Sequence, residues 1–204
     1  LDISIPPILA LGNEAQKSRF LPPVIRGEKI AALGITEPDA GSDVANIRTR
    51  ARRRGDHYVV TGSKTYITSG VRADQLTCAV RTGGEGYGGI SLLVIPSDSP
   101  GYSVSGKLRK MGWWASDTGQ IFFDECRVPV ENRLGEEGQG FYGIMENFQR
   151  ERLQLAVMAN ITARLALEAS LRYARERKAF NRPIAGFQVT RHKLADMATQ
   201  VEAS

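Results

Sequence analysis

The chain has 204 residues, 42% of them hydrophobic and 24% charged, with a formal net charge of +5 at pH 7. Those fractions are ordinary for a folded protein and exclude a disordered one, and no apolar run approaches the roughly 20 residues that a membrane span needs. The only two cysteines, Cys78 and Cys126, form no CxxC pair and have no histidine beside them, which excludes a disulfide scaffold and a zinc site and fits a reducing compartment.

In chain order, the opening LDISIPPILAL has no initiator Met and no basic leader, so it is expected to be neither a signal nor a transit peptide but a chain entered mid-fold. Asn13 is placed to cap a short helix through Phe20, which Pro22-Pro23 should stop. From residue 31 to about 130, short apolar or alternating runs recur between turn signals: Ala31–Ile35, His57–Thr61, Thr65–Thr68, Leu76–Arg81, Ile90–Ile95, Tyr102–Lys107 and Gln120–Phe123. This spacing predicts an antiparallel barrel or sandwich. The basic run RTRARRR, Arg48 to Arg54, suits either a nucleic-acid patch or the solvated face of a strand beside the Gly55-Asp56 turn; no aromatics interleave with it, which favours the solvated face. After Gly140 the period becomes helical, with Phe141, Ile144, Met145, Phe148, Leu155, Met158 and Leu165 on i, i+3, i+4, i+7 steps. One helix of about 35 residues, roughly 50 Å, is expected between residues 144 and 182, ended by Pro183 and Gly186. A second starts near Phe187. Both need partner helices.

Four segments carry candidate chemistry. In LGITEPDAGSD, Leu33 to Asp43, a strand runs into Thr36 and a turn forced by Pro38 and Gly41; its amides and the hydroxyls of Thr36 and Ser42 can face phosphate or a ring heteroatom, although an ordinary Asx-type turn has the same composition. In KTYITSG, Lys64 to Gly70, alternation puts Tyr66 and Thr68 on one strand face, fit to stack on and hydrogen-bond a planar group, or to form a hairpin with an exposed tyrosine. Glu151 lies on the apolar stripe of the long helix, with Phe148 at i−3, Leu155 at i+4, and Asn147 and Gln154 as its polar neighbours. Desolvation there should raise its pKa and make it a candidate general base; the alternative is a carboxylate bridged to a distant arginine. In RERKAFNRPIAGFQ, Arg175 to Gln188, Arg177 could clamp a pyrophosphate, or the basic residues could simply complement the helix dipole.

In this order and spacing, ITEPDAGSD, KTYITSG, KMGWWASDTGQIFFDECRVPVENRLGEEGQGF and ERKAFNRPIAGFQ resemble the acyl-CoA dehydrogenase family. The resemblance spans nearly the whole chain. It implies an α+β multidomain fold: residues 1–30 as the end of an N-terminal helical domain, 31–138 as a middle antiparallel β-barrel, and 139–204 as the first helices of an incomplete C-terminal four-helix bundle. It also implies FAD, an acyl-CoA substrate, an electron-transfer flavoprotein as acceptor, a homotetramer or dimer, and a cytoplasmic or mitochondrial-matrix setting, with no membrane and no nucleic acid as partner. By motif, Leu33, Ile35, Thr36, Gly41, Ser42, Tyr66, Ile67 and Thr68 would line the flavin, and Ser42 would also reach the acyl-CoA. Arg177, Phe180 and Gln188 would reach the FAD of a neighbouring subunit, and Phe148 and Arg152 match substrate-side positions. Glu151, directly before Arg152, matches the catalytic base of the isovaleryl- and long-chain-type members. Tyr66 replaces the common Trp and Asn181 the usual Gly. The alternatives are a flavin oxidase or monooxygenase on the same fold and a non-catalytic nucleic-acid-binding relative.

Overall fold

A computed structural model describes residues 3–204, which form two compact units, one through Phe148 and one from Gln149 to Ser204. The first begins with α1 (Ile5–Leu11), whose Pro6 and Pro7 occupy positions where helix amides have no partner anyway. Helix α2 (Glu14–Ile25) starts, as expected, at Asn13, through a reciprocal capping box with Gln16. It does not stop at Pro22-Pro23. Both prolines sit inside its last turns, where each loses a donor but keeps an acceptor: the Pro22 carbonyl accepts from Arg26 N and the Pro23 carbonyl from Glu28 N.

Eight strands follow: β1 (Ala31–Gly34), β2 (Arg50–Arg54), β3 (His57–Thr68), β4 (Gln75–Arg81), β5 (Ile90–Pro96), β6 (Tyr102–Val104), β7 (Thr118–Pro129) and β8 (Arg133–Leu134). They form one sheet in the order β6-β7-β3-β2-β4-β5-β8, with β1 pairing β4. The expected closed antiparallel barrel is therefore corrected to an open, mixed sheet. β1 and β2 both run parallel to β4, which the long β1-to-β4 connection permits, and the path stops at β6 and β8, three and two residues long.

The core explains the sequence patterns. Strands β4 and β5 are buried on both faces and read as continuous apolar runs. One face joins Tyr58, Val60, Ile67, Ile121, Phe123 and Val128 in a cluster that draws β3 and β7 around β4 and β5; the other packs on Ile8, Phe20 and Ile144 from the helices. Both cysteines are buried, and burial pushes their thiols up to about 12 for Cys78 and about 11 for Cys126, so neither serves as a nucleophile near neutral pH.

Helix α3 (Gly140–Glu176) continues from the first unit into the second. It ends six residues before the expected stop at residue 182, because Lys178–Ala179 (β9) and Arg182–Pro183 (β10) form a two-stranded hairpin whose tip, Phe180-Asn181, has φ of 51° and 61°. Two left-handed residues are the signature of the tight turn that this pairing needs. Helix α4 (Gln188–Ala203) then begins where expected. Among the described residues, no helix is long and apolar enough to cross a membrane.

Gly62 is the tightest constraint on β3. Its φ is 146°, and a Cβ there would lie 2.7 Å from Thr49 Cα. Gly62→Ala is expected to lower the unfolding free energy by about 1–3 kcal/mol from backbone strain alone, with the clash adding to it, whereas Gly84→Ala, in open space at ordinary φ, should be nearly neutral. Urea unfolding of the two variants checks this; equal effects would refute it.

Candidate functional site

The geometry starts from a buried ion pair. Lys64 is fully buried on β3, and its Nζ donates to Glu37 Oε1 at 2.7 Å and to the Ile35 carbonyl at 3.1 Å. Glu37, also buried, accepts from Arg48 N at 2.6 Å and Thr49 N at 3.0 Å. Burial works against the Glu37 charge, but the Lys64 ammonium and these hydrogen bonds outweigh it and hold the carboxyl below the usual carboxylate range. Three donors on one carboxylate tie the turn after β1 to the middle of β3. A mutual backbone pair, Glu37 with Ala40, closes the turn itself, and Thr65 N donates to the Thr36 carbonyl at 2.9 Å.

The next residues of β3 change face. Tyr58, Val60, Gly62 and Lys64 keep one inward parity, yet beyond Lys64 the buried residues are Thr65 and Ile67, not Tyr66. Between Lys64↔Ile121 and Ile67↔Gly119 the strand carries one residue more than its partner, and Tyr66 takes φ 57°. This bulge turns Tyr66 and Thr68 outward, and Tyr66 is 71% exposed. The segment is pinned beyond the bulge by Asp117, whose carbonyl accepts from Ser69 N at 3.0 Å and whose carboxylate accepts from Val71 N at 3.0 Å and Arg72 Nε at 2.7 Å. Burial of Asp117 is outweighed by these donors, which hold its pKa below the ordinary value.

The first unit thus places the residues singled out in the sequence as follows. Thr36 is half-buried; Gly41, Ser42, Tyr66 and Thr68 are exposed; Leu33, Ile35 and Ile67 are buried behind them. An outward tyrosine ring, three hydroxyls and a rigid turn suit a planar heteroaromatic group with polar edges, so the FAD implied by the motifs fits what is present. Phe148 is half-buried and packs against the helix-side core. Sequence reasoning missed Glu37, Lys64 and Asp117. The first two carry a visible signal: Lys64 falls on the inward parity of Tyr58 and Val60, where an unpaired ammonium could not be buried.

In the second unit, Glu151 is half-buried on α3 and Arg152 is exposed, while Leu155, Met158 and Leu165 of the expected apolar stripe are exposed as well. Arg177 lies at the helix end, with its backbone N–H on the Tyr173 carbonyl at 2.8 Å. Phe180 is 91% exposed at the hairpin tip, edge-on to Phe187 at 6.2 Å, and Gln188 opens α4 on the surface. Among the described residues, no group of three or more His, Cys, Asp or Glu side chains is arranged to hold a metal ion.

Residues 32–126 match the family model for the acyl-CoA dehydrogenase middle domain, and residues 138–204 match that for the acyl-CoA dehydrogenase C-terminal domain. The chain is 44% identical over 202 residues to acyl-CoA dehydrogenase AFT10-1 of Alternaria alternata, covering 99% of this chain and 46% of that protein. It is 37% identical over 203 residues to the mitochondrial long-chain specific acyl-CoA dehydrogenase of Rattus norvegicus, covering 98% and 47%. A Mycobacterium abscessus crystal structure described as a probable acyl CoA dehydrogenase superposes with a TM-score of 0.95 at 56% identity, over 98% of this chain and 53% of that one. The chain spans about half the length of these relatives.

The ion pair makes a two-part prediction. Lys64→Met or Glu37→Gln alone should cost about 3–5 kcal/mol by leaving one charge buried without its partner, and the double variant Glu37→Leu/Lys64→Met should recover much of that loss. Folded Glu37 has a lower pKa than its unfolded counterpart, so the pair's stabilisation is complete above the ordinary 4.5 and is lost as pH falls through the lower folded value. Urea midpoints measured against pH test both. Single variants costing under about 1 kcal/mol would reduce the pair to the value of a surface contact.

Proposed function

Because this chain belongs to the acyl-CoA dehydrogenase family, we propose that it forms the flavin- and substrate-binding half of an enzyme that oxidises an acyl-CoA thioester to the trans-2-enoyl-CoA. The observation that carries this reading is the outward Tyr66–Thr68 face, set by a bulge and clamped on both sides by the buried carboxylates Glu37 and Asp117.

In this reading Thr36, Gly41, Ser42, Tyr66, Ile67 and Thr68 hold the flavin of their own chain, with Leu33 and Ile35 supporting them from the core. Arg177, Phe180 and Gln188 serve the flavin of a second copy, which makes the assembly a homo-oligomer. FAD, when bound, supplies the two-electron acceptor that takes the β-hydride. Glu151 is the base: one oxygen of its carboxylate takes the α-proton as the β C–H bond breaks, and the electron pair left at Cα forms the double bond. A free carboxylate is far too weak a base for an α C–H, so the thioester oxygen must be polarised by fixed donors. Arg152 and Phe148 flank the base on α3 and are assigned to the substrate. An electron-transfer flavoprotein is the assigned acceptor of the electrons, in the bacterial cytoplasm or the mitochondrial matrix.

Glu151→Gln keeps size and helix propensity while removing the basic oxygen. The full-length protein carrying it is expected to show the visible flavin band and to bind acyl-CoA, but to bleach that band anaerobically slower by at least the roughly 10²–10⁴-fold that general-base removal costs. Near-native bleaching in a folded Glu151→Gln protein would place the base elsewhere. Purified protein with no flavin band at all would overturn the enzyme reading itself.

A further inference from the structure

The basic run left unused by this function lies along a groove. Arg50, Arg52 and Arg54 alternate on β2, opposite Thr61, Val59 and His57 of β3, while Ala51 between them points into the core. With Arg48, Thr61 and Glu125 they line a concavity of about 380 Å³. Alternate strand residues stand roughly 6.6 Å apart, so the guanidinium groups form a row rather than a point. Arg48 has a long contact to Asp39, 3.5 Å. Among the described residues, Arg50, Arg52 and Arg54 have no side-chain hydrogen bond or ion pair, although each carries a full fork of donors.

We propose that this groove binds a linear polyphosphate anion. Like charges aligned in a concave, partly apolar wall raise the local potential and concentrate counter-ions. Guanidinium forks match phosphate oxygens, and a row of them needs several oxyanion groups in line, which one orthophosphate does not offer. The lining holds no aromatic side chain on which a base could stack, so the phosphate chain itself is the ligand and single-stranded nucleic acid is disfavoured. Glu125 is the one acid in the wall. It sits in the second bulge of the β3–β7 pair, between Val60↔Cys126 and Gly62↔Phe123, with φ 49°. A bulge re-aims its side chain, and here it sets one negative charge against four positive ones.

The test is isothermal titration of the full chain with inorganic tripolyphosphate at low ionic strength. Saturable binding is expected, with orthophosphate about tenfold weaker or worse. Arg52→Gln/Arg54→Gln should weaken tripolyphosphate binding by at least about tenfold, the factor for one charge-assisted hydrogen bond. Glu125→Gln should tighten it by about threefold, as removal of one repulsive charge some 7 Å away in a water-like dielectric would. Arg50→Lys, which keeps the charge and loses the fork, carries the test if the double variant melts early; it should bind more weakly than the native chain. No saturable heat, equal binding of orthophosphate, or undiminished binding by these arginine variants would overturn the proposal. A single-stranded oligonucleotide that outcompetes tripolyphosphate per phosphate would overturn it in favour of nucleic acid.

Discussion

The first unit depends on the burial of Lys64 against Glu37. Taking two charges out of water costs several kcal/mol for each, and the pair is tolerated because every strong polar demand around it is met: the ammonium has a carboxylate and a carbonyl, and the carboxylate has two backbone amides besides. Such a pair is weak as a source of net stability but strong as a geometrical instruction. Shifting β3 by one residue would turn Lys64 outward and leave Glu37 buried with no cation. The register of β3 and the position of the Thr36–Ser42 turn are therefore set by one interaction, and the approach of Thr49 that it requires is possible because Gly62 has no Cβ.

From that fixed point, one extra residue creates the candidate site. With unbroken alternation from Tyr58 through Lys64, Tyr66 and Thr68 would point into the core and Ile67 toward water. The bulge reverses this, and the strain of a left-handed tyrosine, of order 1–3 kcal/mol, is sustained because the chain is held on both sides of it. Lys64 anchors the entering strand, and Asp117 anchors the turn that leaves it. The result is an apolar ring and a hydroxyl presented on a rigid strand, where a functional group is positioned more tightly than a loop could manage.

Much of this is legible in the sequence. Strands β1, β4 and β5 stand out because their runs are apolar and bounded by turn residues, and the N-terminus of α2 because Asn13 and Gln16 satisfy each other's donors. β7 shows only as Gln120–Phe123, since Asp124, Glu125 and Arg127 face water and carry no apolar period, yet it runs from Thr118 to Pro129. The openness of the sheet is not legible, because parallel pairing of β1 and β2 with β4 is decided by contacts some 30 to 45 residues apart in the chain. Alternation alone rightly puts Tyr66 and Thr68 on one face, but it does not reveal which face: that depends on a bulge that no residue type announces. Lys64 could have been found by asking what a lysine does at an inward position. The end of α3 could not be found by looking for Pro and Gly, because residues 180 and 181, Phe and Asn, make the turn.

Phe180 and Tyr66 share one physical situation. Each is an aromatic residue in the left-handed region, each is strongly exposed, and each is held by pairing of the flanking backbone rather than by burial of its own ring. Left-handed backbone is unfavourable for a bulky side chain, and exposing a ring gives up the apolar transfer that would offset it. Neither position earns stability for its own unit. Both units nonetheless build the same arrangement independently, one with a bulge in a long strand and one with a two-residue hairpin tip. Each ring is displayed at a cost, on a scaffold that fixes the backbone on either side, and asparagine beside Phe180 is the non-glycine residue best able to share that conformation. The departure from the glycine of the family motif at Asn181 thus leaves the turn intact, and the ring of Phe180 stays where that turn puts it.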